Sequence, residues 1–220
     1  METAISGSGS SGKVLLKRVL FICGILSSLL YAGTDILGGM LWKGYSFTSQ
    51  AVSDLSAIGA PSRPFVVPLF TIYDVLFFAF ALGVWGLAGQ KRALRFIGGL
   101  LVGLGVINFV AIFTPEHLGE AAATLANTVH IAFAGVTSLL ILLQTGSGAF
   151  ALGKRFRVYS VGTLLTLLVV GVLTWLGAAQ LVANQPSPWI GVTERILIYG
   201  YMLWVAVLAI ALLQAEKGPT

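Results

Sequence analysis

Six uninterrupted apolar runs constrain this chain more than any other feature. A membrane-spanning helix needs about 20 mostly apolar residues. The runs at 15–41, 64–89, 93–114, 122–148, 158–183 and 189–214 all reach that length. Each stops at clear punctuation: Lys91-Arg92, Thr114-Pro115, Lys154-Arg155 and Pro186-Ser187-Pro188. Composition agrees, with 57% hydrophobic and only 10% charged residues. Soluble domains carry about 25% charged residues, so this chain cannot cover a water-facing surface. A soluble domain, a nucleic-acid-binding module and a disordered chain are therefore excluded. The runs lack two-residue alternation, which excludes a β-barrel. The expected fold is all-α, a bundle of six transmembrane helices.

The Ser/Gly-rich opening, with SGSGSSG at 6–12, reads as a flexible tail over residues 1–14 that resembles an appended linker. Residues 15–215 then form a single six-span membrane domain. The one cysteine, Cys23, lies inside the first run and reads as a packing residue; it can form neither an internal disulfide nor a CxxC motif. Gly99 and Gly103 form a small-xxx-small pair, read as an internal helix contact.

The charges are arranged by side. Ten of the 13 Lys and Arg residues fall on one side, in the tail, the second and fourth connections and the C-terminal end. Lys43, Arg63 and Arg195 fall on the other. The positive-inside rule then places both termini in the cytoplasm of a cell-membrane protein, and an even number of spans requires the same. The acids do the reverse: Asp35, Asp54, Asp74, Glu116, Glu120 and Glu194 map to the outer half or outer loops. Loop solvation accounts for Glu116 and Glu120. It does not account for Asp35 and Asp74, which lie within apolar runs.

Only one connection is long. In residues 43–63, Thr48 or Ser49 is placed to cap a helix and Gly59 to end it. Ala51, Leu55 and Ile58 share a face at helical spacing. A short interfacial helix between the first two spans, over 49–58, is the expectation.

The stretch Ala51-Val52-Ser53-Asp54-Leu55-Ser56-Ala57-Ile58-Gly59-Ala60-Pro61 resembles a segment after the first span of bacterial and archaeal membrane proteins in domain-of-unknown-function family 998. Phe113-Thr114-Pro115 followed by His130, and Gly191-Val192-Thr193-Glu194-Arg195-Ile196 followed by Trp204, resemble later parts of the same family. The similarity runs over roughly residues 20–214. It implies six membrane helices and supplies no activity.

Ionisable groups inside the hydrocarbon are costly and mark candidate sites. Asp35, Asp74, Asn108, His130, Glu194 and Arg195 come from five helices, and all map to the outer half. Glu194 and Arg195 are helix neighbours pointing about 100° apart, so Arg195 is expected to pair with Asp35 or Asp74. The leading expectation is an outward-facing polar pocket that binds a lipid headgroup or small amphiphile without turnover. A membrane-embedded lipid hydrolase or transferase using Asp54, Asp74 and His130 is the alternative. A small proton-linked transporter is the third. His117 and His130 are too few for a zinc centre of the usual kind, and no phosphate-binding glycine motif is present. No metal or cofactor is therefore expected, and the partners foreseen are membrane lipids. Cysteines introduced at Lys91 and Arg155 should label with an impermeant reagent only from the cytoplasmic side; labelling of either from outside would refute the orientation.

Overall fold

A computed structural model describes residues 6–87, 91–118 and 124–215. It contains six long helices: α1 (Ser6–Leu41), α2 (Arg63–Leu87), α3 (Arg92–Ala111), α4 (Leu125–Gly148), α5 (Lys154–Val182) and α6 (Ile190–Ala215). All six contain a stretch long and apolar enough to cross a membrane. The expected all-helical, six-span architecture is the one observed. α1 starts at Ser6, inside the stretch read as a tail, while residues 1–5, Glu120 and the C-terminal residues 216–220 lie outside the described residues.

Each helix packs on its neighbours in sequence, and α1 against α6 closes the ring. The two ends differ in charge. The basic end carries the 2–3 and 4–5 connections, the N-terminal end of α1 and the C-terminal end of α6. The acidic end carries the 1–2, 3–4 and 5–6 connections.

The core is widest from the middle of the bundle toward the basic end, around Phe77, Phe80, Ile97, Leu101, Trp204 and Leu208. In lipid, association of helices relies on close packing and interhelical hydrogen bonds rather than on expulsion of water. Both devices are present. Gln144 donates to the Leu100 carbonyl at 3.2 Å and accepts from the Tyr201 hydroxyl, joining α4 to α3 and α6. Trp204 Nε1 donates to Ser160 Oγ at 3.0 Å, and Ser28 Oγ to the Met202 carbonyl at 2.9 Å. These bonds tie α6 to α5 and to α1.

Glycine sets the closest approach, though not the pair singled out from the sequence. A Cβ at Gly98 would lie 2.5 Å from Trp85 Cα, where α3 crosses α2. One at Gly105 would meet the Phe78 ring at 2.7 Å. At Gly99 and Gly103 a Cβ would meet nothing within 4 Å. The expected Gly99/Gly103 contact is therefore absent, because a shift of one residue turns a helix face by about 100°.

The 1–2 connection also departs from expectation. In place of an amphipathic helix over 49–58 it forms one four-residue 3-10 turn, Ser53–Ser56. Leu55 is fully buried, yet Ile58 is 40% exposed, so the two do not share a buried face. The segment is a strap folded into the end of the bundle: Val52 and Leu55 pack with Val66 of α2 and touch Tyr31, Tyr45 and Ile198. The turn is closed by Ala57, and Gly59, placed from the sequence as the stop of a helix, lies beyond it in the left-handed region at φ +95.

Gly98→Ala should lower stability by about 1–3 kcal/mol, since Trp85 backbone must move. Gly99→Ala should leave it unchanged or raise it by up to about 1 kcal/mol through helix propensity. Thermal unfolding of both variants in detergent checks the assignment, and equal effects would contradict it.

Candidate functional site

The acidic end is organised by Arg195, in the second turn of α6. Its Nε and Nη2 donate to the two carboxylate oxygens of Asp35 on α1 at 3.0 and 2.9 Å. Nη1 donates to the carbonyls of Phe47, Gln50 and Gly191 at 2.9, 3.1 and 3.0 Å. Nη2 also meets the Tyr45 hydroxyl at 2.5 Å. The Phe47 ring lies 4.9 Å from the guanidinium carbon, within cation–π range. Tyr199 donates to Asp35 Oδ2. A guanidinium has five N–H donors, and these contacts engage all three of its nitrogens.

Gly191, one turn before Arg195, makes that arrangement possible. A Cβ there would fall 2.3 Å from the Gln50 carbonyl oxygen and 2.6 Å from that of Phe47. The strap can therefore lie directly on α6, where the Gly191 and Val192 amides donate to the Thr48 carbonyl. Arg195 had two expected partners, Asp35 and Asp74; the structure pairs it with Asp35. Asp35 is wholly buried and Arg195 is 8% exposed. Both carboxylate oxygens of Asp35 and all three guanidinium nitrogens of Arg195 are engaged within the fold.

Three other carboxylates lie within electrostatic range of one another beyond this pair. Glu194 Oε2 accepts the Val52 amide at 2.6 Å, fixing the strap to α6 a second time. Asp54 Oδ2 accepts the Ala51 amide at 2.9 Å within the strap. Glu116, from the 3–4 connection, lies within electrostatic range of both Asp54 and Glu194. Burial, with Glu116 beside it, pushes the Asp54 carboxyl up from 3.8 to about 6. Backbone brings Glu116 here: the Ile58 amide donates to the Glu116 carbonyl at 2.9 Å, and the Leu118 amide to the Ile58 carbonyl at 3.0 Å.

His130 and Asp74 have different neighbours. His130 Nε2 lies 3.7 Å from Glu116 Oε2, with side chains 30% and 20% exposed respectively. Asp74 is buried on α2, with the side chain of Asn108 on α3 as its polar neighbour. Tyr31 of α1 stands between the groups, within range of Glu194, Asp35 and Asp74, and its ring packs on Phe70 and Tyr73 at 4.8 and 4.9 Å.

Asp54, Asp74 and His130 thus have three separate partners: a strap amide, Asn108 and Glu116. General acid–base work requires a base within hydrogen-bond reach of the group it activates, and these three supply no such pairing to one another. Among the described residues no group of three His, Cys, Asp or Glu is placed to hold a metal ion. Glu116, read from the sequence as a solvated loop acid, is instead largely enclosed. Tyr45, Phe47 and Tyr199 were not singled out, and Gly191 figured only as part of the stretch that carries the family resemblance. Aromatic residues near a buried arginine and a glycine one turn before it were the only available signals.

Arg195→Ala should destabilise the protein by about 3–5 kcal/mol, because Asp35 would be left buried and unpaired. Combining Arg195→Met with Asp35→Leu should recover the part owed to the stranded carboxylate, leaving the loss of the strap's carbonyl contacts. Denaturant titration of the single and double variants measures both, and an unaffected single variant would remove the assigned role.

A family model described as "Protein of unknown function (DUF998)" matches residues 25–211. No curated protein and no solved structure matches the chain. Six membrane-length helices, the strap on α6 and a family match across most of the sequence lead to one statement: the chain belongs to the DUF998 family of proteins of unknown function.

Proposed function

We propose that this integral membrane protein binds the cationic headgroup of an amphiphile at its acidic end, without turnover. The observation that carries the reading is the carboxylate group of Asp54, Glu116 and Glu194, drawn from the strap, the 3–4 connection and α6. The guanidinium beside it is already engaged by Asp35 and the strap. Asp54 and Glu194 are met by backbone amides, which carry no full charge. Glu116 Oε1 is shielded and has no hydrogen-bond partner among the described residues. A cation near these groups gains charge-assisted hydrogen bonds, which are about twice as strong as neutral ones.

Room for a ligand beside them is consistent with the packing of α4. None of its residues before Gln144 is buried, whereas α3 and α6 bury residues along much of their length. His130 and Glu116, on that loosely covered side, are the partly exposed members of the site. Membrane lipids surround the bundle and are the nearest source of amphiphiles. In this reading the acidic end faces outward, both termini are cytoplasmic, and the protein resides in the cell membrane. The acid–base candidates have no mutual geometry, which disfavours the hydrolase alternative.

In nanodiscs of neutral lipid, dodecylammonium should bind more tightly than the uncharged dodecanol. Glu116→Gln should weaken it about tenfold or more, the usual scale for losing a hydrogen bond to a charged group. Equal binding of the two amphiphiles, or an unchanged constant in the variant, would overturn the reading.

A further inference from the structure

The basic end carries a second arrangement that the acidic-end site does not use. A shallow depression there is lined by Lys154, Arg155 and Phe156 of α5 and by Ala211 and Gln214 of α6. Farther along the same pair of helices runs a groove lined by Tyr159, Gly162, Thr163 and Thr166 of α5 and by Gly200 and Leu203 of α6. Arg155, Tyr159, Gly162 and Thr166 recur at three- and four-residue steps on α5; on α6, Ala211 and Gln214 of the depression lie eleven residues, about three turns, beyond Gly200 and Leu203 of the groove. The two concavities therefore lie along one seam, each with the same stripe of α5 and of α6.

The chemistry changes along that seam. Its mouth is cationic, with both Lys154 and Arg155 exposed. They occupy the first turn of α5, where the helix dipole favours anions. Gly153 caps that helix without a side-chain hydrogen bond, and its first turn holds no acid. Two cations at a positive helix end whose own first turn holds no acid favour an anion from outside the helix. Deeper in, the groove is apolar, with its floor opened by two glycines. Thr166 lies about 18 Å from Lys154 along the axis, close to the roughly 15 Å of hydrocarbon in one leaflet.

We propose that the α5–α6 seam at the basic end holds one anionic phospholipid, its phosphate against Lys154 and Arg155 and one acyl chain in the groove over Gly162 and Gly200. A free phosphate would use only the mouth. A neutral lipid would use only the groove. The continuity of the two along one pair of helices selects a molecule with both parts.

The test is native mass spectrometry of the full chain released from micelles holding phosphatidylglycerol and phosphatidylcholine in equal amounts. The wild type should retain one phosphatidylglycerol in preference. Lys154→Gln with Arg155→Gln should reduce that preference about thirtyfold, from the usual contribution of two basic residues at an anionic lipid surface. Arg92→Gln with Arg95→Gln removes equal charge from α3 at the same end and should leave the preference intact. A Cβ at Gly162 meets nothing within 4 Å, so Gly162→Leu should fold normally, fill the groove and displace the lipid with both cations present. Equal loss in the α3 pair would mean bulk surface charge alone. Unchanged retention in Gly162→Leu, or full competition by soluble glycerol phosphate, would mean an anion site without a lipid chain. Either result overturns the proposal.

Discussion

The rest of the acidic end depends on the bidentate pair between Arg195 and Asp35. A single buried charge in a bilayer is costly, and a pair is tolerated only when its remaining donors and acceptors are met. Asp35 accepts from Tyr199 as well as from the guanidinium. Arg195 meets its surplus donor capacity by drawing in the carbonyls of Phe47 and Gln50. That need folds a chain segment from beyond the first span down onto the last one. The strap is, in this sense, part of the solvation shell of an arginine.

Once the strap is down, other placements follow. Val52 delivers its amide to Glu194, and Leu55 enters the gap between α1 and α2. Ile58 is then left at the rim, where its backbone pairs with the 3–4 connection and brings Glu116 beside Asp54. The carboxylate group is thus assembled by backbone contacts between three segments distant in sequence. Toward the basic end the solution is different: close glycine contacts and neutral hydrogen bonds such as Trp204 to Ser160 hold the helices. The two ends of one bundle solve the burial of polar groups by different means, and the proposed sites differ in sign accordingly.

The sequence by itself determined the number, type and approximate limits of the spans, since a bilayer demands long apolar helices and leaves few alternatives. It also determined that Asp35, Asp74 and Arg195 needed partners, because each stood in an apolar run. Between Asp35 and Asp74 it could not choose for Arg195, as depth along a helix does not give azimuth around the bundle. Only the tertiary structure decided that. The same limit explains the glycines: Gly98 and Gly99 look alike in the sequence, and only packing against Trp85 separates them. The strap was the least legible element. Its residues have the spacing of a helix, yet their conformation is set by a side chain on α6 and by the missing Cβ of Gly191, neither of which is local. Elements made by local hydrogen bonds and by the solvent were readable in order along the chain, whereas those made by one distant charge needing donors and acceptors were settled only when the helices met.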